Sequence, residues 1–480
     1  MLDIFIFSLM ILGYIVLFFG IFLMLLAVFN IFRHKSYKLA GHNHPTFSLI
    51  VPSHNEEDVI ERTIKSFLAT TYDDDKKEMI IVNDGSTDNT RSIAEKYASR
   101  IINEDGKKTE IIKNNLKSIV LINRSVGGKG KSYVSNNGIK HAKGEILLFI
   151  DADIQIHKNI FEMAARHFVN KNVGAVAGYV EVKRHKNFLN KLIDFEYIIG
   201  QQLLRRGFNV MGVHYIIPGG CAFIRKDIVN KLGGYAHDTL AEDTDLTWKI
   251  LLETKKDIRF DPNIKVIADE PSTLQSLWNQ RVRWGRGNIQ VTWKHKDKVG
   301  KLKYGKCTTL AYPFWLASLI LPFAFLLSAG GVILSEVTNT NYSIFALLGT
   351  FLAVSFYAVV IAGTILNKGK SFLGGLLTPG IPILISFTAM IIWKDGIVGM
   401  MNFIGLANYS VVVSSILGMW ILIAIPGTYL SNYIGKKNKL AGEILQIVIF
   451  GYWMFLITTI LQGYAMELLK KENKWNRTIR

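Results

Sequence analysis

The chain has 480 residues, 49% of them hydrophobic and 20% charged, and its 56 basic against 38 acidic side chains give a formal charge of +18. That composition excludes a disordered or acidic solvating chain, and the crowding of apolar residues into long blocks argues against one soluble globule. Two cysteines, Cys221 and Cys307, exclude a disulfide framework and a multi-thiolate zinc site; the basic excess suits an anionic membrane surface, nucleic acid or small anionic substrates.

From Ile4 to Phe32 the sequence is almost unbroken apolar, with Ser8 and Asn30 the clearly polar exceptions. As a helix this run exceeds the roughly 30 Å hydrocarbon core of a bilayer. A cleaved signal peptide is the competing reading, but no basic residue precedes the run and the run outlasts an ordinary signal core. Residues 1–44 are therefore expected to form an uncleaved transmembrane anchor and its linker. Asp3 precedes the run and Arg33, His34, Lys35 and Lys38 follow it, which puts the next segment on the cytoplasmic side of a cell membrane.

From Pro45 to about Gly300 the pattern changes to short apolar runs separated by amphipathic stretches. The runs Phe47–Pro52, Met79–Asp84, Ser118–Asn123 and Glu145–Asp151 read as strands buried on both faces. Between them Asp58–Thr70, Asn89–Ala98 and Lys131–Ala142 carry helical spacing. Alternation of this kind predicts an α/β domain over residues 45–300, with a parallel sheet and a ligand at the carboxyl ends of its strands.

Several groups of side chains in this block have chemistry to offer. Asp84 closes a strand before Gly85 and Ser86, a turn expected to leave its carboxylate free at the sheet edge; the structural alternative is a helix N-cap. Asp151 and Asp153 flank one residue at the tip of the most apolar strand. Alternate residues of a strand face the same way, so both carboxylates are expected to meet one hard cation, Mg²⁺ or Mn²⁺, of the kind that phosphates help to hold. Gly127–Ser132 is a Gly-rich turn with two lysines opening a helix, suited to an anion; it is no Walker loop, because Ser125 stands where that motif needs glycine. Glu242-Asp243 opens a helix, where acids favour the macrodipole, and a carboxylate there is also a simple general base. Gln280, Arg283 and Trp284 share a helix face, on an amphipathic segment expected to lie in the membrane interface with Arg281, Arg283 and Arg286 meeting lipid phosphates.

Apolar residues return in five blocks, Thr309–Leu334, Ser343–Leu366, Phe372–Trp393, Ser410–Leu430 and Ile444–Met466. They predict an all-α transmembrane bundle over residues 301–466 and a basic tail over 467–480. The third block carries Pro379, Gly380 and Pro382 and is either a span or re-entrant, so the bundle has four or five spans. The tail is the larger basic cluster and favours an even number of crossings.

Taken in order, VPSHNEE, NDGSTDNT, GKGKSYVSNNGIKHAKGE, DAD, PGGCAFIRKD, AEDTDLTWK and QRVRW resemble the serial motifs of membrane-bound, processive family-2 glycosyltransferases. These are the synthases of cellulose, chitin, hyaluronan and bacterial poly-N-acetylglucosamine. The short N-terminal region and the ED-to-TWK helix look most like the last of these. The resemblance spans about Phe47 to Gln290 and implies a GT-A-type nucleotide-sugar-binding domain inserted between the anchor and the bundle. It implies that Asp84 contacts the uridine end of a UDP-sugar and that Asp151 and Asp153 form the DxD pair, with Asp153 on the metal. It further implies that Asp243 deprotonates the acceptor hydroxyl, that Gln280, Arg283 and Trp284 grip the donor diphosphate and the acceptor sugar, and that Lys131 contacts the donor. Ala241 departs from the Thr or Gly of many members, and the insert Ser99–Lys117 separates two strands.

The implied activity is inverting transfer of a UDP-activated hexose, most simply UDP-N-acetylglucosamine, onto a growing β-linked polysaccharide that passes across the bilayer. UDP-glucose, or alternation with a uronic acid donor, would use the same acids, and the wall around Gly219–Phe223 would choose. The enzyme alternative is a non-processive transferase acting on a membrane lipid; a transporter is disfavoured because the cores of the C-terminal blocks contain almost no ionisable residues. Nucleic acid is not an expected partner, and accessory secretion subunits are compatible with the reading. Nothing after the bundle reads as a ligand-sensing domain, so activation through one is not expected.

Overall fold

The computed structural model describes residues 44–320, apart from short stretches of which the longest are 104–109 and 112–117, together with 441–470 and Leu26. The N-terminal anchor, most of the C-terminal bundle, Lys129 and residues 471–480 lie outside the described residues. Among those described, no helix is long and apolar enough to cross a membrane.

The chain divides into two units. One comprises residues 35–197, 211–315 and 462–480; the other comprises residues 1–34, 198–210 and 316–461, the ranges that hold the apolar runs of the sequence. The first is an α/β unit built on a ten-stranded mixed sheet. Its strands are β1 (Phe47–Ser53), β2 (Lys77–Asp84), β3 (Arg100–Asn103), β4 (Glu110–Ile111), β5 (Ile119–Arg124), β6 (Ile146–Phe149), β7 (Gln155–Ile156), β8 (Val173–Val182), β9 (Ala222–Arg225) and β10 (Asp257–Ala268). They lie in the order β4-β3-β5-β2-β1-β6-β9-β8-β10-β7.

The four strands expected from sequence are β1, β2, β5 and β6, and they form a contiguous parallel block. Leu49, Ile50, Val51, Met79, Ile80, Ile81, Ile146, Leu147 and Leu148 have no exposed surface, as strands covered on both faces require. Helix Ile60–Leu68 covers one face with Ile60, Thr63, Ile64 and Phe67, the i, i+3, i+4, i+7 stripe of an amphipathic helix. After β5 the chain crosses from one side of β1 to β6 on the other, and the crevice at such a reversal is where open α/β sheets bind ligands.

The insert after Ser99 is partly sheet. β3 extends the block alongside β5, and β4 caps it antiparallel. A row of amides runs across this edge in register: Asn83 Nδ2 donates to Asn123 Oδ1 at 3.2 Å, and Asn123 Nδ2 to Asn103 Oδ1 at 3.4 Å.

Candidate active site

Strand register assembles the first part of the site. Asp84 and Arg124 end β2 and β5 as direct partners, so their side chains leave the sheet on the same side and form a buried ion pair. The backbone N–H of Gly128 donates to Asp84 Oδ2 at 3.2 Å, and His54 Nδ1 donates to the Asp84 carbonyl at 2.8 Å. The carboxylate of Asp84 is therefore occupied, not free as the turn alone suggested. The Arg124 guanidinium in turn lies 4.6 Å from the ring centre of Tyr133.

The second part lies past β6. That strand ends at Phe149, and Asp151 to Ile154 form a turn closed by Ile154 N–H donating to the Asp151 carbonyl at 3.1 Å. The expectation that both acids stand on one strand face is thereby corrected: the strand stops before them, and they stand in the turn that follows it. The Asp151 side chain is 37% exposed and paired with Lys131, whereas Asp153 is buried. Helix Lys131–His141 presents Lys131 in its first turn, so the Gly-rich turn supplies a cation to the acids.

Antiparallel β9 completes the cluster. Ala222 pairs with Phe149, which brings the residues just before it to the carboxyl end of β6. Gly219 N–H donates to Asp243 Oδ2 at 2.8 Å, and Thr244 N–H donates to Asp243 Oδ1 at 2.7 Å. A methyl group built on Gly219 would lie 3.4 Å from Asp243 Oδ2 and 3.5 Å from Lys131 Nζ, so Lys131, Asp151, Gly219 and Asp243 share one small space. Asp243 and its neighbour Glu242 open helix Glu242–Lys249, and Thr247 of that helix accepts from Ile217 N–H at 3.1 Å.

Electrostatics report the same convergence. Burial alone would lower the Lys131 pKa, but Asp151, Glu242 and Asp243 raise it to about 12. Burial and then the adjacent Asp243 push the Glu242 carboxyl above its ordinary value, against the pull of Lys131 and Arg283. Burial likewise pushes the Tyr235 phenol well up, with Asp243, Glu242 and Asp151 adding to it. Arg283, on helix Leu274–Lys294, thus belongs with the acids.

The rest of that helix holds a mixture of expected and corrected features. Trp284 is 36% exposed, with the Arg281 guanidinium 4.1 Å from its ring centre. Gln280 Oε1 accepts from Arg281 at 2.6 Å. Arg281 and Arg286 are buried, contrary to their expected role at lipid phosphates. Arg281 pairs with Glu196 at 2.9 Å and Arg286 with Glu467 at 3.1 Å; a buried guanidinium needs a carboxylate.

Asp151 and Asp153 offer hard oxygen donors, and among the described residues no group of three metal-ligating side chains stands by itself. Two carboxylates whose remaining ligands come from phosphate and water suit Mg²⁺ or Mn²⁺. The carboxylates Asp151, Glu242 and Asp243 also outnumber the cations Lys131 and Arg283 around Lys131, so a divalent cation would ease the entry of an anionic diphosphate. The donor set fits the expected metal.

Glu242, Arg124 and Tyr235 carried no assigned role in the sequence. Arg124 was recoverable from the parallel register opposite Asp84. Glu242 drew attention only as half of an acidic pair.

Comparison with known proteins agrees with the geometry. Residues 48–233 match the family described as glycosyl transferase family 2, and residues 146–366 match glycosyl transferase family group 2. A probable glycosyltransferase, YdaM of Bacillus subtilis, is 33% identical over 315 residues, which cover 65% of this chain and 70% of that protein. The poly-beta-1,6-N-acetyl-D-glucosamine synthase of Staphylococcus epidermidis is 28% identical over 306 residues, covering 62% and 69%. A mannosyltransferase from Pyrobaculum calidifontis, solved in complex with GDP-Man and Mn²⁺, superposes with a TM-score of 0.53 at 21% identity, over 77% of this chain and all of that one. The sheet is accordingly of GT-A type. The chain belongs to glycosyl transferase family 2, and it is a glycosyltransferase.

Proposed function

We propose that the protein is a processive, inverting hexosyltransferase that polymerises a UDP-activated sugar, UDP-N-acetylglucosamine foremost, into a β-linked polysaccharide. The observation that carries this reading is the meeting of Asp151, Lys131 and Asp243 around Gly219 at the carboxyl end of the central strands. The printed name of the Staphylococcus epidermidis relative supports the choice of donor and of polymer.

Breaking the anomeric bond of a nucleotide sugar develops negative charge on the departing diphosphate and positive charge at the sugar. Lys131 and Arg283 would face that diphosphate and stabilise it electrostatically. Asp151 and Asp153 would hold a divalent cation, which supplies charge neutralisation when bound. Asp243, fixed by two backbone N–H groups, would take the proton of the attacking hydroxyl from the opposite side of the ring, which inverts the anomeric centre. Trp284 would offer its exposed ring to the acceptor sugar. The apolar blocks of the sequence support a membrane location with the α/β unit cytoplasmic and a path for the polymer through the bilayer.

The test is the full chain in detergent or nanodiscs with Mg²⁺ or Mn²⁺, given each UDP-sugar alone and in pairs. UDP release with a high-mass, β-linked product from UDP-N-acetylglucosamine alone is expected. α-Linkages by NMR would contradict inversion, and a single sugar added to a lipid would contradict processivity.

A further inference from the structure

The long helix Leu274–Lys294 is gripped on two sides, and the grip ends at the acidic turn. On one side Gly287 lies so near the preceding turn that a methyl group on it would meet the backbone N of Ala241 at 2.8 Å. One turn away, Gln290 Oε1 accepts from Leu240 N–H at 2.8 Å. Leu240 and Ala241 lead directly into Glu242 and Asp243, so whatever sets the height of the long helix sets the position of the acids.

On the other side stand residues 462–468, the last two turns of helix Ala441–Leu468 and part of the same unit. A methyl group on Gly463 would lie 2.6 Å from the carbonyl O of Val282 and 3.1 Å from Arg286 N, so the two backbones touch. Gln462 Oε1 accepts from Trp278 Nε1 at 2.5 Å. Glu467 Oε2 accepts from Arg286 Nε at 3.1 Å and from Gln290 Nε2 at 3.0 Å.

The last of these bonds has a chemical consequence. A carboxylate only accepts hydrogen bonds, whereas an amide presents a donor at one end and an acceptor at the other. Glu467 therefore fixes which way the Gln290 amide faces: its NH₂ must turn to Glu467, and its oxygen to Leu240 N–H.

We propose that Glu467, acting through Gln290 and Arg286, is a positioning residue for Asp243. The inference rests on the proposed transferase chemistry. It assigns a role at the reaction centre to a segment that lies beyond both family matches, which end at residues 233 and 366. Displacing a reacting group by about 1 Å costs on the order of a hundredfold in rate even when the altered residue is remote. The predicted effect falls on transfer to the acceptor, which needs Asp243, and spares donor binding at the Asp84 and Asp151 side of the site.

The experiment compares wild type with Glu467→Lys, Gln290→Leu and Glu467→Gln, all as full chain in detergent with UDP-N-acetylglucosamine. Three quantities are read: transfer to polymer, hydrolysis of donor to free sugar and UDP, and the donor KM. Lysine at this position would repel Arg286 and turn the Gln290 amide around; leucine would remove the amide. Both are expected to lower the ratio of transfer to hydrolysis by roughly tenfold to a hundredfold while the donor KM stays within about twofold. Glu467→Gln retains an accepting oxygen and is expected to keep most of the ratio. A variant that merely folds less well lowers transfer and hydrolysis together, and that outcome overturns the proposal, as does a ratio unchanged in both damaging variants. Wild type inactive with every donor would instead overturn the functional reading, and this inference with it.

Discussion

At the scale of single residues, charge and burial make different demands at neighbouring positions of one short helix. Glu242 is held above its ordinary pKa by burial and by Asp243. A carboxyl whose native pKa is raised loses stability as pH climbs from its unfolded value toward the native one. Glu242→Gln, which fixes the neutral form, is therefore expected to raise the thermal midpoint near pH 8 relative to wild type, and to lower turnover. A lower midpoint would show that its attraction to Lys131 and Arg283 outweighs burial. Three residues on, Asp245 has the opposite problem. Its side chain has no exposed surface. Burial raises its pKa, but His295, which donates at 2.8 Å, together with Lys249 and Lys294 lowers it to about 2. The stability it contributes is complete above the ordinary Asp value and is lost as pH falls from there through about 2. Asp245→Ala, which leaves His295, Lys249 and Lys294 without their shared carboxylate, is expected to cost on the order of 3–5 kcal/mol, read as a lowered denaturation midpoint at neutral pH. A loss below 1 kcal/mol would contradict the buried network.

At the scale of elements, contact between backbones governs the site as much as side chains do. Gly287 faces Ala241 closely enough that an added methyl group would displace one of them. Gly287→Ala is expected to reduce transfer at least tenfold by pushing the Asp243 turn away, on the order expected for small displacements of reacting groups. Adding Ala241→Gly, which removes the opposing methyl group, is expected to recover part of it; a double variant no better than the single one would contradict the wedge. The strands β1, β2, β5 and β6 and the helices Ile60–Leu68, Thr90–Tyr97 and Lys131–His141 were legible because each is an apolar run or an amphipathic stripe of ordinary length. Also legible were the cluster members Lys131 and Asp151, which sit at or just past the ends of those elements, and Asp243, which stands in the first turn of the later helix Glu242–Lys249. The Asp151–Asp153 turn was not, because a strand and a turn share the same short apolar approach and only the pairing of β6 with β1 and β9 shows where the strand stops. The burial of Arg281 and Arg286 was hidden for a related reason. Their partners Glu196 and Glu467 lie 85 and 181 positions away, and local periodicity carries no information over such distances.

At the scale of the whole molecule, the division of the chain follows the division of its composition. The charged and mixed stretches build the α/β unit, and the apolar runs Ile4–Phe32 and Thr309–Met466 fall largely in the other. The exceptions are residues 309–315 and the end of helix Ala441–Leu468, whose residues from Gln462 join the α/β unit and hold the helix that carries Arg283 and Trp284. On the proposed chemistry everything turns on the role of Asp243 as the base for transfer from a nucleotide sugar. Its most direct test is the rate of UDP-N-acetylglucosamine transfer by Asp243→Asn beside wild type, at equal protein and saturating donor. If Asp243 takes the proton, polymer formation falls by about 10²–10⁴-fold, the usual worth of a positioned general base, with the donor KM little changed. Transfer within about threefold of wild type would contradict that role, since a positioned base that removes the reacting proton typically contributes at least about a hundredfold.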